Sequence, residues 1–260
     1  GSAGRMGGML IRAIAAAPDL ELVAATDLPD SPFIGHDSGE VAQIGANGVM
    51  IGSDPETLFG AADVVIDFTS PAASLHHASL AAAKGTAMVI GTTGLGAAEE
   101  SSLKTMAKDN TIIYCANTSV GVTLLTQLVE DVAAKLTDGW DIEILETHHH
   151  HKVDAPSGTA ARTAELMSKS RKEAGLAPMP DATSTSLDGA RGATVGEIPV
   201  HSVRLRGLVA HQEVLFGGLG ETLTIRHDSI DRAGFMPGVI LGVRKIVNTP
   251  GLTHGLDKFM

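Results

Sequence analysis

Through the first half of the chain, short β-rich runs alternate with Ala-rich stretches. Met6–Ala17 reads as a helix stopped by Pro18, and Leu20–Thr26 as a strand ended by Asp27. Asp30–Met50 is rich in Gly, Asp and Ser and predicts a long loop with one short helix; Asp54–Ala61 predicts a helix. Val64–Phe68 is a continuous apolar run, the pattern of a strand buried on both faces of a parallel sheet. Pro71–Lys84 predicts a helix ending at Gly85, Ala87–Ile90 a strand, Ala97–Asp109 a helix and Thr111–Cys115 a strand. This β-α-β-α alternation argues for an α/β fold. It predicts a Rossmann-like, doubly wound parallel sheet with its ligand crevice at the carboxyl ends of the strands.

The rhythm changes after Asn117. Val122–Leu136 predicts a long helix, Asp141–Thr147 alternates polar and apolar residues, and Gly158–Ala174 predicts another helix. Gly175–Gly196 is polar and reads as loop. Val200–Leu205, His211–Phe216 and Glu221–His227 resemble antiparallel strands, and Phe235–Asn248 is apolar and helical. The expected organisation is a dinucleotide-binding domain of residues 1–119 and 229–260, with a mixed α+β substrate and oligomerisation domain over 120–228.

Composition narrows the function. Over 260 residues, 43% are hydrophobic and 19% charged, a globular balance with ample core. Lys+Arg 19 against Asp+Glu 30 gives a net charge of -11, which repels a polyanion, and aromatics at 3% leave few platforms for bases. No nucleic-acid partner is expected. The single Cys115 excludes an internal disulfide and a multi-cysteine metal site, which suits a reducing cytosol. No run of 18 apolar residues predicts a membrane span, and no signal peptide is visible.

Gly1-Ser2-Ala3-Gly4-Arg5-Met6-Gly7 opens directly into the first helix. Glycines so spaced let the backbone approach a pyrophosphate, and the helix start offers it free N–H groups. Asp27 ends the following strand 20 residues after Gly7 (27 − 7 = 20), where a ribose-binding acid belongs. A carboxylate there accepts from a ribose diol and repels a 2′-phosphate, so NADH is favoured. Arg5 keeps NADPH open. The motif ordinarily follows a strand, and none precedes Gly1. The reading adopted is that the sequence starts late, not that the folded protein lacks its central strand.

Glu146-Thr147-His148-His149-His150-His151-Lys152-Val153-Asp154-Ala155-Pro156-Ser157-Gly158-Thr159 is the most informative stretch. An affinity tag belongs at a terminus, whereas this block lies between a strand and a helix. Adjacent residues on an extended chain face opposite ways, so four histidines do not converge on one metal. Histidine exchanges protons near neutral pH and Lys152 adds fixed positive charge. The helix start at Ser157-Gly158-Thr159 suits a carboxylate. Two anion receptors within ten residues suit a substrate with more than one carboxylate.

The chain resembles the dihydrodipicolinate (4-hydroxy-tetrahydrodipicolinate) reductase family of lysine and diaminopimelate biosynthesis. The resemblance rests on Gly4-Arg5-Met6-Gly7, Asp67-Phe68-Thr69, Val89-Ile90-Gly91-Thr92-Thr93-Gly94, Asn117-Thr118-Ser119-Val120-Gly121-Val122 and, above all, Glu146 to Thr159. It implies that Gly1, Ser2, Ala3, Gly4, Arg5 and Met6 hold the pyrophosphate and Asp27 the adenosine ribose. Gly91, Thr92 and Thr93, with Cys115, Ala116, Asn117 and Thr118, would line the nicotinamide side. His148 matches the general acid and Lys152 the second proton donor; which of the two delivers the proton stays open. His149 matches one carboxylate ligand, and Gly158 with Thr159 the other. Leu28 stands where some members carry Arg, His150 where Arg is common, and Thr118 where Phe is frequent. The implied activity is NAD(P)H-dependent reduction of the cyclic imine with loss of water, in a cytoplasmic homotetramer without a metal. Two rivals are another NAD-dependent dehydrogenase of a small dicarboxylate and a non-catalytic NAD-sensing module. Covalent catalysis would fall to Cys115.

Overall fold

The computed structural model describes residues 1–260, which divide into two compact units, Gly1–Val120 with Phe235–Met260 and Gly121–Gly234. In the first unit, helix α1 (Arg5–Ala15) is followed by strand β1 (Ala25–Thr26), α2 (Ser38–Val41), β2 (Ile51–Gly52) and α3 (Pro55–Ala61). Then come β3 (Val64–Asp67), α4 (Pro71–Lys84), β4 (Ala87–Ile90), α5 (Ala97–Met106) and β5 (Thr111–Tyr114). The second unit is built from α6 (Val120–Lys135), β6 (Asp141–His148), α7 (Gly158–Glu173), β7 (Ala193–Val195), β8 (Ile198–Arg204), β9 (Ala210–Gly218) and β10 (Glu221–Ser229). The chain returns to the first unit with α8 (Met236–Ile246) and β11 (Gly251–His254).

Local signals fix the helices. Ser70 caps α4 by accepting from the Ala73 N–H, Pro71 occupies its first turn, and Gly85 closes it. Asp54 and Ser157 cap α3 and α7 in the same way. The parallel sheet of the first unit has the order β11-β5-β4-β3. Met88, Val89, Ile90, Ile112 and Ile113 are wholly buried, because helices cover both faces of β4 and β5.

Two expectations about this unit are corrected. Leu20–Thr26 is not a full strand; only Ala25 and Thr26 pair, in parallel with Ile51 and Gly52. β1 and β2 form a sheet of their own, so the parallel layer is in two pieces. Between β1 and β3 lies a cavity of about 150 Å³, walled by residues including Ala25, Val65, Ile66, Leu10 and Phe59. Residues 20–24 carry no ladder pairing. The C-terminal β11, beside β5, has no counterpart among the predicted strands.

The second unit carries one mixed sheet, β10-β9-β6-β8-β7, with α6 and α7 packed through Leu125, Val129, Ala160, Ala164 and Met167 on Ile142, Ile144, Val200, Val214 and Phe216. β9 pairs antiparallel with both β10 and β6, as the sequence pattern predicts. β8 is mixed: it pairs antiparallel with β7 and runs parallel to β6. A strand–helix–strand connection through α7 returns the chain to the same end of the sheet, and so makes the pair parallel. β7, within the stretch read as loop, forms a two-residue hairpin with β8 around Gly196-Glu197.

Candidate active site

In the first unit, the glycine loop wraps the start of α1. Gly4 is the N-cap and brings no side chain to the first N–H groups of the helix. A Cβ at Gly7 would collide with the carbonyl oxygens of Gly1 and Ser2, so the tight turn admits only glycine. The Ser2 hydroxyl is buried without a protein partner. Asp27 lies against this loop: its carboxylate accepts from the N–H of Ala3 and of Leu28, both at 2.8 Å. Arg5 is exposed and Met6 is half-buried. A helix start with an uncapped N-terminus, a glycine turn and an acid at its edge has the donors and acceptors of a pyrophosphate-plus-ribose site. These residues fit a dinucleotide.

The second loop of this unit is organised by Asp67, which sequence reading left without a role. Asp67 is 2% exposed. It accepts from the Thr69 N–H (2.9 Å), the Thr69 hydroxyl (2.6 Å) and the Thr92 hydroxyl (3.2 Å), and pairs with His77 Nδ1 at 2.7 Å. Burial pushes its pKa up, but the hydrogen bonds from His77 and Thr69 outweigh that and hold it below its ordinary value. Thr92 is therefore a structural link: its hydroxyl also meets the Ser74 hydroxyl and accepts from the Thr69 N–H. The Phe68 ring occupies the space a Cβ on Gly91 would take, so Gly91 is buried under it. Thr93 is exposed and remains free to face a ligand.

After β5, Ala116 is exposed, and the Asn117 side chain accepts from the Ser119 N–H. Thr118 is buried and its hydroxyl donates to the Phe235 carbonyl. Cys115 is buried, its thiol donates to the Asn117 carbonyl at 2.8 Å, and burial pushes its pKa up to about 11. A thiol held protonated is a poor nucleophile.

In the second unit the histidine block closes β6. Alternation along the strand turns Ile142, Ile144 and Glu146 inward, and His148 follows on the same face. Glu146 is 0% exposed yet ionised. One oxygen accepts from His148 Nδ1 (2.5 Å) and an Arg204 guanidinium nitrogen (2.8 Å). The other accepts from the second Arg204 nitrogen (2.8 Å) and the Ser157 N–H (3.1 Å). Burial works to raise its pKa, but the bonds from His148, Arg204 and Ser202 prevail and hold it at about 2. Arg204 reaches it because β8 runs parallel to β6 with Ser202 opposite Glu146.

The remaining residues lie in the turn beyond. Lys152 pairs with Asp154 at 2.8 Å, and the Asp154 carboxylate also takes the Gly158 N–H. Gly158 is exposed with open space around its Cα, and Thr159 is half-buried next to it. Ser157 is fully engaged: its N–H goes to Glu146 and its hydroxyl caps Ala160. It builds the helix start without facing outward. His149 is held at the turn by its N–H to the Val209 carbonyl; burial, then Arg232 and the neighbouring His148, His151 and Lys152, lower its pKa. The His150 and His151 ring centroids lie 3.7 Å apart with their planes tilted by 41°, and no group of three or more His, Cys, Asp or Glu is placed to hold a metal ion. His148, Lys152, Gly158 and Thr159 thus gather on one segment. Glu146, Arg204, Asp154 and Arg232 join them as residues the motif reading did not assign. For Glu146 the signal was its place two residues before His148 in an alternating strand.

The family profile for the dihydrodipicolinate reductase N-terminus matches residues 1–118, and that for the C-terminus residues 121–260. A 4-hydroxy-tetrahydrodipicolinate reductase of Streptomyces griseus is 44% identical across 100% of this chain and 95% of its own. One from Cutibacterium acnes is 45% identical over 99% and 95%. The solved structure of a dipicolinate-bound dihydrodipicolinate reductase from Paenisporosarcina sp. TG-14 superposes with a TM-score of 0.83 at 32% identity, covering 100% of this chain and 97% of that one. An amine dehydrogenase from Mycobacterium smegmatis, at TM-score 0.60 and 14% identity over 96% and 92% of the two chains, shares the fold alone. Matched in both halves and along its whole length, the chain belongs to the dihydrodipicolinate reductase family.

Proposed function

We propose that this chain reduces the cyclic imine dicarboxylate 4-hydroxy-tetrahydrodipicolinate to tetrahydrodipicolinate, with loss of water, using NADH in preference to NADPH. The observation that carries the reading is the segment from Glu146 to Thr159, which joins a held histidine, a lysine and a helix start exposed at Gly158. That is one proton donor and two receptors for carboxylates. The bound nucleotide supplies a hydride equivalent. The glycine loop and α1 start receive its pyrophosphate. Asp27 receives the ribose diol, and the exposed Leu28 beside it is an apolar side chain that offers no charge to a 2′-phosphate.

His148 gives the proton that completes the reduction. Lys152 and His149 take one substrate carboxylate, and the N–H groups and hydroxyl at Gly158–Thr159 take the other. Lys152 exchanges Asp154 for the substrate anion at modest cost, because Asp154 is half-exposed. Thr93 and the Ala116–Asn117 backbone line the nicotinamide side. The purified chain is expected to oxidise NADH in the presence of the cyclic imine. His148→Gln is expected to lower turnover by about 10²–10⁴-fold while leaving NADH affinity intact. No oxidation by the parent, or unchanged turnover in the variant, overturns the respective assignment. The sheet face carrying Val203 and Leu215, turned away from the core, supports self-association as a homotetramer, which light scattering measures directly.

A further inference from the structure

We infer that Glu146 and Arg204 are positioning residues that decide which nitrogen of His148 exchanges the proton: Nδ1 keeps its hydrogen on the Glu146 carboxylate, and Nε2 alone acts. The inference rests on the reading of His148 as proton donor, and deepens it. Glu146 is wholly buried and every bond it makes is an accepted one: His148 Nδ1, two Arg204 nitrogens, the Ser202 side chain and the Ser157 N–H. An ionised carboxylate has no hydrogen to give, so Nδ1 must carry one in both charge states of the ring. After His148 gives up a proton, the neutral ring is left as the Nδ1–H tautomer, and Nε2 is free to be recharged.

Arg204 has a separate task. A lone buried carboxylate would grip an imidazolium and resist its discharge. The Arg204 guanidinium, held bidentate at 2.8 Å on each oxygen, cancels that charge while leaving the hydrogen bond in place. The Ser157 N–H binds the same carboxylate, so one buried group aims both the proton donor and the first turn of α7. The other charged groups around this end of β6 are His149, His151, Lys152 and Asp154 on the following turn and Arg232 on the turn before α8. β9 places uncharged Ala210 opposite His148.

The first test needs neither a variant nor activity. In the ¹⁵N-histidine-labelled chain at alkaline pH, the His148 ring is expected to show a protonated Nδ1 and a bare Nε2. Its resonances among the 11 histidines are identified by their loss in His148→Gln. The opposite tautomer overturns the inference, whatever the enzyme assay gives. The second test uses kinetics. Glu146→Gln should move the basic limb of the kcat/KM profile down, and Arg204→Gln should move it up, each by about one pH unit or more. Arg204→Lys, which restores the charge, should return the limb to its parent position. Both neutral variants losing rate with no opposed movement of the limb would mark Glu146 and Arg204 as structural only and overturn their tuning role. Absence of any reductase activity, with the Nδ1–H tautomer observed, would defeat the functional reading and leave the geometry of His148 standing.

Discussion

Replacing Glu146 by Gln removes one buried negative charge and keeps the side chain's shape. In the folded protein this carboxyl is held at about 2, against an ordinary 4.5. At about 1.4 kcal/mol per pH unit, that lowering is worth about 3 kcal/mol of stability. The sign follows from the direction. A carboxyl whose folded pKa is depressed contributes its full share above the unfolded value of 4.5, and loses it as pH falls through 2. Glu146→Gln has no such share to lose. It also leaves the Arg204 guanidinium, only 19% exposed, without its counter-charge, and breaking such a pair costs about 3–5 kcal/mol at neutral pH. The stability gap between parent and variant should therefore be widest above pH 5 and narrow by about 3 kcal/mol toward pH 2. Urea denaturation at pH 7, 4 and 2.5, followed through secondary structure, measures it. Asp67, also depressed, titrates alike in both proteins and cancels in the difference. A gap that stays constant from pH 7 to 2.5 would refute the claim that Glu146 is ionised and held by its donors.

Gly7→Ala would drive its methyl into the Gly1 and Ser2 carbonyls and displace the loop, raising the Kd for NADH about tenfold or more in titration calorimetry; a Kd within twofold of the parent's refutes the tight-turn role. Asp27→Ala should lower the kcat/KM preference for NADH over NADPH by about tenfold, a 1.4 kcal/mol difference, and an unchanged ratio would remove Asp27 from ribose recognition. Cys115→Ala should retain activity, and Cys115 should resist alkylation at neutral pH until the chain unfolds, because its thiol is buried and ionises only near pH 11. Loss of turnover in that variant with its fold intact would reopen covalent catalysis.

How far the sequence could be read depended on the distance over which each signal acts. α4 was legible in full because its cap, its proline and its closing glycine all lie within its own span. β4 was legible because a parallel strand with both faces buried has no polar positions to confuse the pattern. Leu20–Thr26 was over-read: its composition is that of a strand, but a ladder needs partners, and periodicity does not count them. β7 was under-read for the opposite reason. Ala193-Thr194-Val195 is too short to show alternation, and the Gly196-Glu197 turn that makes it a hairpin was the only local clue.

The same distinction separates the two layers of the site. Residues proposed to face ligand lie close together in sequence, as His148 and Lys152 or Gly4 and Gly7 do, because a loop delivers neighbouring backbone to one place. The groups that hold them in position come from elsewhere: Arg204 is 58 residues from Glu146, and Thr92 is 25 from Asp67. A buried carboxylate must gather its donors from whatever strands pack around it, since water cannot supply them. Such partners follow from register, and the register of β6 with β8 depends on a parallel crossover that the polar run after α7 concealed. Arg204 could therefore be recognised only after the sheet was known. The Glu146–Arg204 pair is then the point at which knowledge of the fold adds chemistry to the motif, since on the role proposed for His148 it decides the nitrogen from which the proton leaves.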